Sequence, residues 1–505
     1  MTYSFTEIDK ETFKKIGITE EDVQSQLALL HKGPNSAKLD RPATVDDGIL
    51  KLSNKEINDY ALCFESEKKN FSVTRVIPAS GLATRMFKFL HFFLDKFSPE
   101  KETLRSYLNR NESYKLAVFL GGIEKFPFYK QARKAVKDTH NGTIETDYRY
   151  RFINHVVDTF DKLPKALVPF HSYKGSQRTA AEEQLILSKE FMVNKGEMNI
   201  HFTVPPSTAS MFEQHLSKTI KQLSSTSIKT KLSFSNQKRN TSTVALLKEG
   251  VPLRDKDGKL VFRAGGHGSL IGNLNDLKDD IIFLSNIDNI TVDRYHEQTA
   301  RYKKMLAGIL ISLQSQIFQY SRFLNHGDNV DLTEIKTFLQ EKLHVSIPSD
   351  LHGDNLIAYV KQKLDRPLRV CGMVKNEGEP GGGPFWVENN NEISLQIVES
   401  AQIDVNNRQQ KALFEKSTHF NPVDIVCGVY DHNGNKYDLT KFVDYEAYFV
   451  AEKSFGDSEI KVLERPGLWN GAMADWNTVF VEVPVRTFNP VKMVNDLLRP
   501  MHQSA

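Results

Sequence analysis

The chain has few cysteines, almost no net charge, and no apolar run long and unbroken enough to suggest a membrane span. Its three cysteines, Cys63, Cys371 and Cys427, lie far apart and form no C-x-x-C pair, so neither a disulfide framework nor a zinc site is suggested. A reducing, cytoplasmic setting is therefore expected. With 66 basic residues against 63 acidic ones the formal charge is +3, which gives no case for a nucleic-acid or membrane partner. The opening MTYSFTEIDKETFKK lacks the apolar core of a secretory leader, so export is not expected. The most apolar helical stretch, residues 306–324, carries Gln314, Ser315, Gln319 and Arg322 on its other face, an amphipathic pattern rather than a spanning one. No internal repeat stands out.

What is present is ordinary globular material, 40% hydrophobic and 26% charged, in 505 residues. That length exceeds what one core usually holds, so one large domain with additions, or two domains, is expected. Helical patterns at 20–30 and 54–69 suggest an N-terminal helical cap over residues 1–70, ahead of a catalytic domain over 71–505. From residue 164 onward strand and helix patterns alternate. The strands are NIHFTVP, KTKLSFS, DDIIFLS, LRVCGMV, EISLQIVES, DIVCGVYD and TVFVEVPV. This alternation predicts an α/β fold with a mixed, mostly parallel sheet sandwiched by helices, interrupted by helical insertions at about 96–160 and 292–364.

The segment 73–89, VTRVIPASGLATRMFKF, runs from a buried strand through a tight loop into a helix. Amides at such a helix start, together with the Arg85 fork, can hold a phosphate. The wording GLATRM resembles the G-x-G-T-R-M signature of sugar-phosphate nucleotidylyltransferases, and Pro164 and Lys165 in KLPKALVPFH resemble the Pro-Lys pair that follows it. Further stretches resemble the uridylyltransferase branch, the UDP-sugar pyrophosphorylases, in that family's order. These are FSNQ ending at Gln237, AGGHGSL with Gly266, His267 and Gly268, FLSNIDN with Asp288, and VEVPVRTFNPVKMVNDLL with Lys492. The resemblance spans roughly residues 73–498.

That resemblance implies a Rossmann-like nucleotidyltransferase fold and Mg²⁺-dependent condensation of a nucleoside triphosphate, UTP foremost, with a sugar-1-phosphate. Arg85, Lys165 and Lys492 would then be the catalytic cations. Ser80, Gly81, Ala83, Thr84, Gln237, Gly266 and His267 would bind the nucleotide, Glu399 and Asn421 the sugar, and Asp288 the metal. Asp424 and Asp475 are candidates for a second metal ligand. A non-catalytic sugar-nucleotide binder that retains the fold, and a transferase using GTP or CTP, stay open as alternatives. Oligomeric state is not addressed by the sequence.

Each assignment has a plainer reading. Arg85 and Lys165 alone read as solvated charges, Asp288 as a turn cap, and Lys492 as a core-edge lysine. His267 reads as a hydrogen-bonding neighbour of the base, because the transfer needs no proton shuttle. Ala83 replaces the family's second glycine, which matters if that position requires a positive φ or if a phosphate comes close to its methyl. The glycine run 378–384, GEPGGGP, fits a mobile loop better than a phosphate cradle. NHGDN at 325 and LHGDN at 351 echo a kinase loop without its downstream partners, and turns at helix ends explain them better.

Overall fold

The computed structural model describes residues 3–504 apart from 112, 139–144, 327–331, 379–380, 390–391 and 456–457. Its main feature is a nine-stranded mixed sheet among many helices, an α/β architecture. The chain divides into two compact units. One comprises Met1–Ser72, Ser235–Phe283 and Lys304–Val485; the other comprises Val73–Phe234, Leu284–Lys303 and Arg486–Ala505. Among the described residues no helix is long and apolar enough to cross a membrane.

In the first unit, the strand Leu368–Met373 runs parallel to Asn477–Glu482 and antiparallel to Asp424–Gly428. The short strand Gly48–Leu50 extends the parallel side. Leu368–Met373 and Asp424–Gly428 are buried at every position, which is why they read as continuous apolar runs rather than alternating ones. The N-terminal helices Glu7–Ile16 and Glu20–Lys32 each begin with a reciprocal cap, Thr6 with Asp9 and Thr19 with Asp22. Their apolar faces, through Phe13, Val23, Leu27 and Leu30, pack on Val244, Leu246, Tyr448 and Leu463. The glycine Gly308 lets the long helix His296–His326 touch the helix Asn54–Glu67, since a Cβ there would stand 1.9 Å from the Tyr60 carbonyl oxygen.

In the second unit, the strand Val73–Pro78 pairs in parallel with Glu197–Thr203. The helices Leu104–Asn111, Tyr114–Gly121, Tyr129–Asp138 and Glu145–Phe160 occupy the stretch where the sequence predicts a helical insertion. Aromatic rings form its interior: Phe93 lies 4.9 Å from Phe97 and 5.2 Å from Tyr107, and Phe119 lies 4.7 Å from Phe126. The helix Ala180–Ser188, capped by Thr179 and Glu182, is buried on every face. Such a helix must satisfy its own polar side chains internally.

A candidate phosphate site and a candidate sugar-nucleotide cluster

The buried strand Val73–Pro78 delivers the chain to Ser80 and Gly81, and a 3₁₀ turn, Ala83–Phe87, then leads into the helix Lys88–Lys96. The amide of Ala83 donates to the Leu163 carbonyl (3.0 Å), and the amide of Lys165 donates to the Gly81 carbonyl (2.9 Å). A bridge between Leu82 and Pro164 completes an antiparallel clasp. Two motif fragments some eighty residues apart in sequence are thereby joined, and Lys165 is fixed beside the loop. The clasp also changes the expected use of the loop, because the Ala83 amide is engaged by protein. Ala83 itself is fully buried, and it is absent from the non-glycine residues that adopt a positive φ, so the backbone here does not call for glycine. Ser80, Gly81, Thr84 and Arg85 are exposed. Thr84 Oγ1 donates to the Asp161 carbonyl at 3.2 Å, and among the described residues Arg85 forms no ion pair.

Asp288 follows the strand Ile281–Ser285 and is 7% exposed. Lys165 Nζ and Lys492 Nζ both reach its Oδ2, at 2.6 and 3.1 Å. Burial by itself would push the Asp288 carboxyl up, but the two ammoniums outweigh it and hold the group below the usual carboxylate range. Burial lowers the pKa of Lys165, and Asp288 only partly restores it. The two lysines differ in freedom: the Lys165 side chain is 16% exposed and that of Lys492 is 64% exposed. The Lys492 segment is tied to the Asp288 turn by backbone. Val491 N donates to Asp288 O (3.1 Å), Asn489 N to Asn289 Oδ1 (2.7 Å), and Asn289 Nδ2 to Thr487 O (3.1 Å). Asp496 then accepts the amides of Lys492 and Met493 at 2.7 and 2.8 Å.

Two residues that motif reading passes over hold this turn in place. Gln184 Nε2 points at the carbonyls of Asn286, Ile287 and Asn289, at 3.0, 3.1 and 3.3 Å. Arg75, fully buried, binds the Gln184 carbonyl (3.0 Å), Ser188 Oγ (2.7 Å) and Gln184 Oε1, so the amide cannot rotate away. The available signal was physical rather than lexical: a glutamine inside a helix with no solvent face needs several partners.

Among the described residues no group of three or more His, Cys, Asp or Glu side chains is placed to hold a metal. Magnesium does not require one, since it keeps waters and is commonly held by one or two carboxylates plus phosphate oxygens. Asp288 Oδ1 accepts no hydrogen bond among the described residues, so one oxygen of this carboxylate is open to such an ion while Oδ2 serves the lysines. The donor set fits magnesium as a single-carboxylate site. Asp496 is not a second ligand of this kind: its Oδ2 is taken by two amides and its Oδ1 by Arg499 at 3.0 Å. Asp424 and Asp475 belong to the first unit, where Asp475 stands 4.0 Å from Arg366.

The remaining predicted residues also belong to the first unit, and several of them meet there. The His267 and Trp469 rings stack at 4.5 Å, and His267 Nδ1 accepts the Leu468 amide at 3.0 Å. Trp469 Nε1 donates to Glu399 Oε1 at 3.4 Å, and Asn421 Nδ2 lies 3.4 Å from both Glu399 oxygens. Burial lowers the His267 pKa despite Glu399 and Glu464, so the ring is neutral near pH 7 and suited to hydrogen bonding rather than to carrying charge. The glycines around it are required: Gly266 has φ +77°, and a Cβ on Gly268 would stand 1.9 Å from the Pro466 carbonyl oxygen. Gln237 is half-buried just past the strand Lys229–Ser235, where the Asn273 side chain holds Ser235 and Asn236 at 2.8 Å. Trp469, the platform for His267, was not singled out by the sequence.

The other motif candidates have structural roles. In the run 378–384, residues 379–380 lie outside those described. A Cβ on Gly382 would stand 1.9 Å from the Val398 carbonyl oxygen, and Gly383 opens the strand Gly383–Asn389, so these glycines permit backbone packing beside Glu399. LHGDN at 351 leads into the helix Gly353–Leu364, and 327–329 of the other copy lie outside the described residues.

An α/β sheet protein with two lysines from distant segments on one buried carboxylate is the class that these features define. The chain belongs to the family described as a domain of unknown function, DUF4301, which it matches over residues 6–503. No curated protein matches it. Among solved structures it is similar to the UDP-N-acetylglucosamine pyrophosphorylase of Trypanosoma brucei, at 10% identity and TM-score 0.47, covering 91% of this chain and 72% of that one. It is also similar to a UDP-glucose pyrophosphorylase of Leishmania major determined with UDP-glucose, at 12% identity and TM-score 0.42, covering 98% and 79%. A UDP-glucose phosphorylase of Trypanosoma brucei gives 12% identity and TM-score 0.44, covering 99% and 78%.

Proposed function

We propose that this protein is a nucleotidyltransferase that joins a nucleoside triphosphate, UTP foremost, to a sugar-1-phosphate, giving a nucleotide-sugar and pyrophosphate. The observation that carries the reading is the convergence of Lys165 and Lys492 on Asp288. Two ammoniums bound to one carboxylate oxygen leave a net positive centre, which is what a polyphosphate needs. In the transfer, an oxygen of the sugar phosphate forms a bond to the α-phosphorus while the bond from that phosphorus to the β-phosphate bridging oxygen breaks. No proton has to be moved, so the residues act by position and charge. Lys165, held by the clasp and by Asp288, is the fixed cation. Lys492, with its exposed side chain, is able to leave Asp288 and follow the phosphates as negative charge shifts to the leaving group. Arg85 on the exposed loop adds a bidentate donor. Magnesium, held at Asp288 Oδ1, would supply further charge neutralisation. Taken by itself, the first unit offers a neutral His267 ring on Trp469 that suits a nucleobase, and Glu399 with Asn421 suits sugar hydroxyls.

Pyrophosphate release tests this directly. Purified protein should release it only when UTP, a hexose-1-phosphate and Mg²⁺ are all present, and Lys165→Met or Lys492→Met should lower turnover by roughly a hundredfold or more. Release with GTP or CTP instead would reassign the base. A thermal shift with UDP-sugars without release from any nucleotide would favour a non-catalytic binder.

A further inference from the structure

The helix Tyr114–Gly121 belongs to the helical insertion of the second unit, a stretch that the transfer chemistry leaves without a role. The 3₁₀ turn Val494–Leu498, which begins two residues after Lys492, meets it at two points. At the start of the helix Asn495 Nδ2 donates to the Lys115 carbonyl at 2.8 Å. At its end Leu498 stands against Gly122, where an added Cβ would lie 2.6 Å from Leu498 Cδ1 and 3.3 Å from Cγ. Gly122 has φ −101°, open to any residue, so this glycine provides space and not a special backbone. Lys115 and Gly122 are seven residues apart, which places them on one stripe of the helix about 10 Å from each other. A single contact lets a turn swing; two at that spacing fix its direction.

The same turn reaches back to the lysine. Asp496, between the two gripping residues, accepts the amides of Lys492 and Met493. The helix has a further neighbour, since its Phe119 ring lies 6.3 Å from Phe89 in the helix Lys88–Lys96, whose first amide donates to the Arg85 carbonyl. It therefore touches both the segment that delivers Arg85 and the segment that delivers Lys492. Both of these cations have exposed side chains, so little but their backbones can aim them. We propose that the helix Tyr114–Gly121 is a positioning element of the phosphate site, holding the Lys492 segment through Asn495 and Leu498 and the Arg85 segment through Phe89. Its bearing on turnover rests on the transferase reading, whereas its hold on Lys492 does not. Because charge alone still attracts a polyphosphate when alignment is lost, the expected mark is a fall in kcat with nucleotide affinity nearly kept.

Two variants of the full-length protein test this. Asn495→Ala removes one grip at the cost of a single hydrogen bond, because Asn495 Oδ1 has no partner among the described residues. Gly122→Val adds bulk that rotation of Leu498 does not absorb, so the turn has to move. Brief acetylation read at each lysine by mass spectrometry reports the outcome without any substrate, since an amine bound to Asp288 is shielded from the reagent and a released one is not. Lys492 should react about two- to fivefold faster in either variant, the worth of a partly exposed ion pair, with Lys165 unchanged. Adding Leu498→Ala to Gly122→Val makes room and should return Lys492 to the wild-type rate. Val157→Ala, a buried change in the helix Glu145–Phe160, loosens the insertion elsewhere and should leave Lys492 as it is. In the pyrophosphate assay Gly122→Val should lower kcat about tenfold and change the nucleotide KM less than about threefold, with recovery in the double variant. Wild-type acetylation of Lys492 in both single variants, equal acceleration in Val157→Ala, no recovery in the double variant, or a loss confined to KM would each overturn the assignment. Because acetylation needs no nucleotide, absence of pyrophosphate release from the wild type would strike the transferase reading alone.

Discussion

The polar groups around Asp288 and those around Glu399 are held in opposite ways. At Asp288 the contacts are short and between full charges, 2.6 Å to Lys165 and 3.1 Å to Lys492. At Glu399 the contacts from Trp469 and Asn421 all measure 3.4 Å, and Asn421 Oδ1 is buried without a partner. The cause is the cost of desolvation. A buried ammonium such as Lys165 cannot wait for a ligand and must carry its counter-charge from the moment the chain folds. A half-buried carboxylate tolerates loose contacts, because water can serve it until something better arrives, whereas the buried Asn421 Oδ1 is left unserved. One cluster is therefore assembled in advance, and the other keeps capacity in reserve.

Asp288→Asn attacks the assembled cluster and should have the largest effect. It leaves Lys165 with a neutral partner in a buried place, and urea unfolding should show a loss of about 3 kcal/mol, at the low end for a broken buried pair because Lys492 is largely exposed. Turnover in the pyrophosphate assay should fall about a thousandfold, since the lysines lose their common anchor. A folded variant of unchanged stability would mean that solvent, and not Asp288, stabilises Lys165.

A second buried charge network in the same unit sharpens the contrast through pH. Glu183, fully buried, accepts from His171 Nδ1 at 2.9 Å and from the Tyr173 hydroxyl at 2.6 Å, and His171 Nε2 meets His502 Nδ1 at 2.9 Å. Burial, aided by His171 and Arg499, lowers the His502 pKa to about 3 from 6.5. In that window the unfolded chain binds a proton that the folded chain does not, so stability should fall as pH drops from about 6.5 toward 3. Urea midpoints measured across this range should decline in the wild type and decline less steeply in His502→Gln. Equal slopes would mean that His502 takes up its proton in the folded protein.

Glu399→Gln attacks the reserve cluster, and its stability should stay within about 0.5 kcal/mol of the wild type, because the contacts from Trp469 and Asn421 are long and the new amide keeps an oxygen for the Gln402 backbone N–H that Glu399 caps. Affinity for a UDP-sugar should drop about tenfold in a titration, the worth of a charge-assisted hydrogen bond to a hydroxyl. A stability loss as large as that of Asp288→Asn would erase the distinction between the two clusters.

Much of this was legible in the chain because it is written in local terms. The strands Lys229–Ser235 and Leu368–Met373 announce themselves by composition, whereas the helix Glu7–Ile16 is not among the helical patterns read from the sequence. Lys165, Asp288 and Lys492 could be picked out by the wording around each, although no local rule says that three such residues meet. What stayed hidden depends on contacts between single residues in unremarkable settings. Gln184 looks like any helical glutamine until the helix proves to have no wet face, and Trp469 has no motif to mark it. The role of Arg75 follows only from the parallel strand pairing that buries it, since in isolation an arginine within a strand reads as an edge charge.

Ala83 is the smallest lever on the comparison and the one that asks whether the assembled cluster is also closed to phosphate. The residue is buried in a 3₁₀ turn without a positive φ, and its amide is bound to Leu163. Nothing in that backbone requires glycine, so Ala83→Gly should gain no relief of strain and should lose about 0.5–1 kcal/mol through added freedom in the unfolded chain. If the methyl points only into protein, turnover should stay within about twofold of the wild type, a difference of some 0.4 kcal/mol in the barrier. A rise of tenfold or more, at unchanged nucleotide affinity, would instead place the methyl against the reacting phosphates and make residue 83 the point at which this chain departs from the signature it resembles.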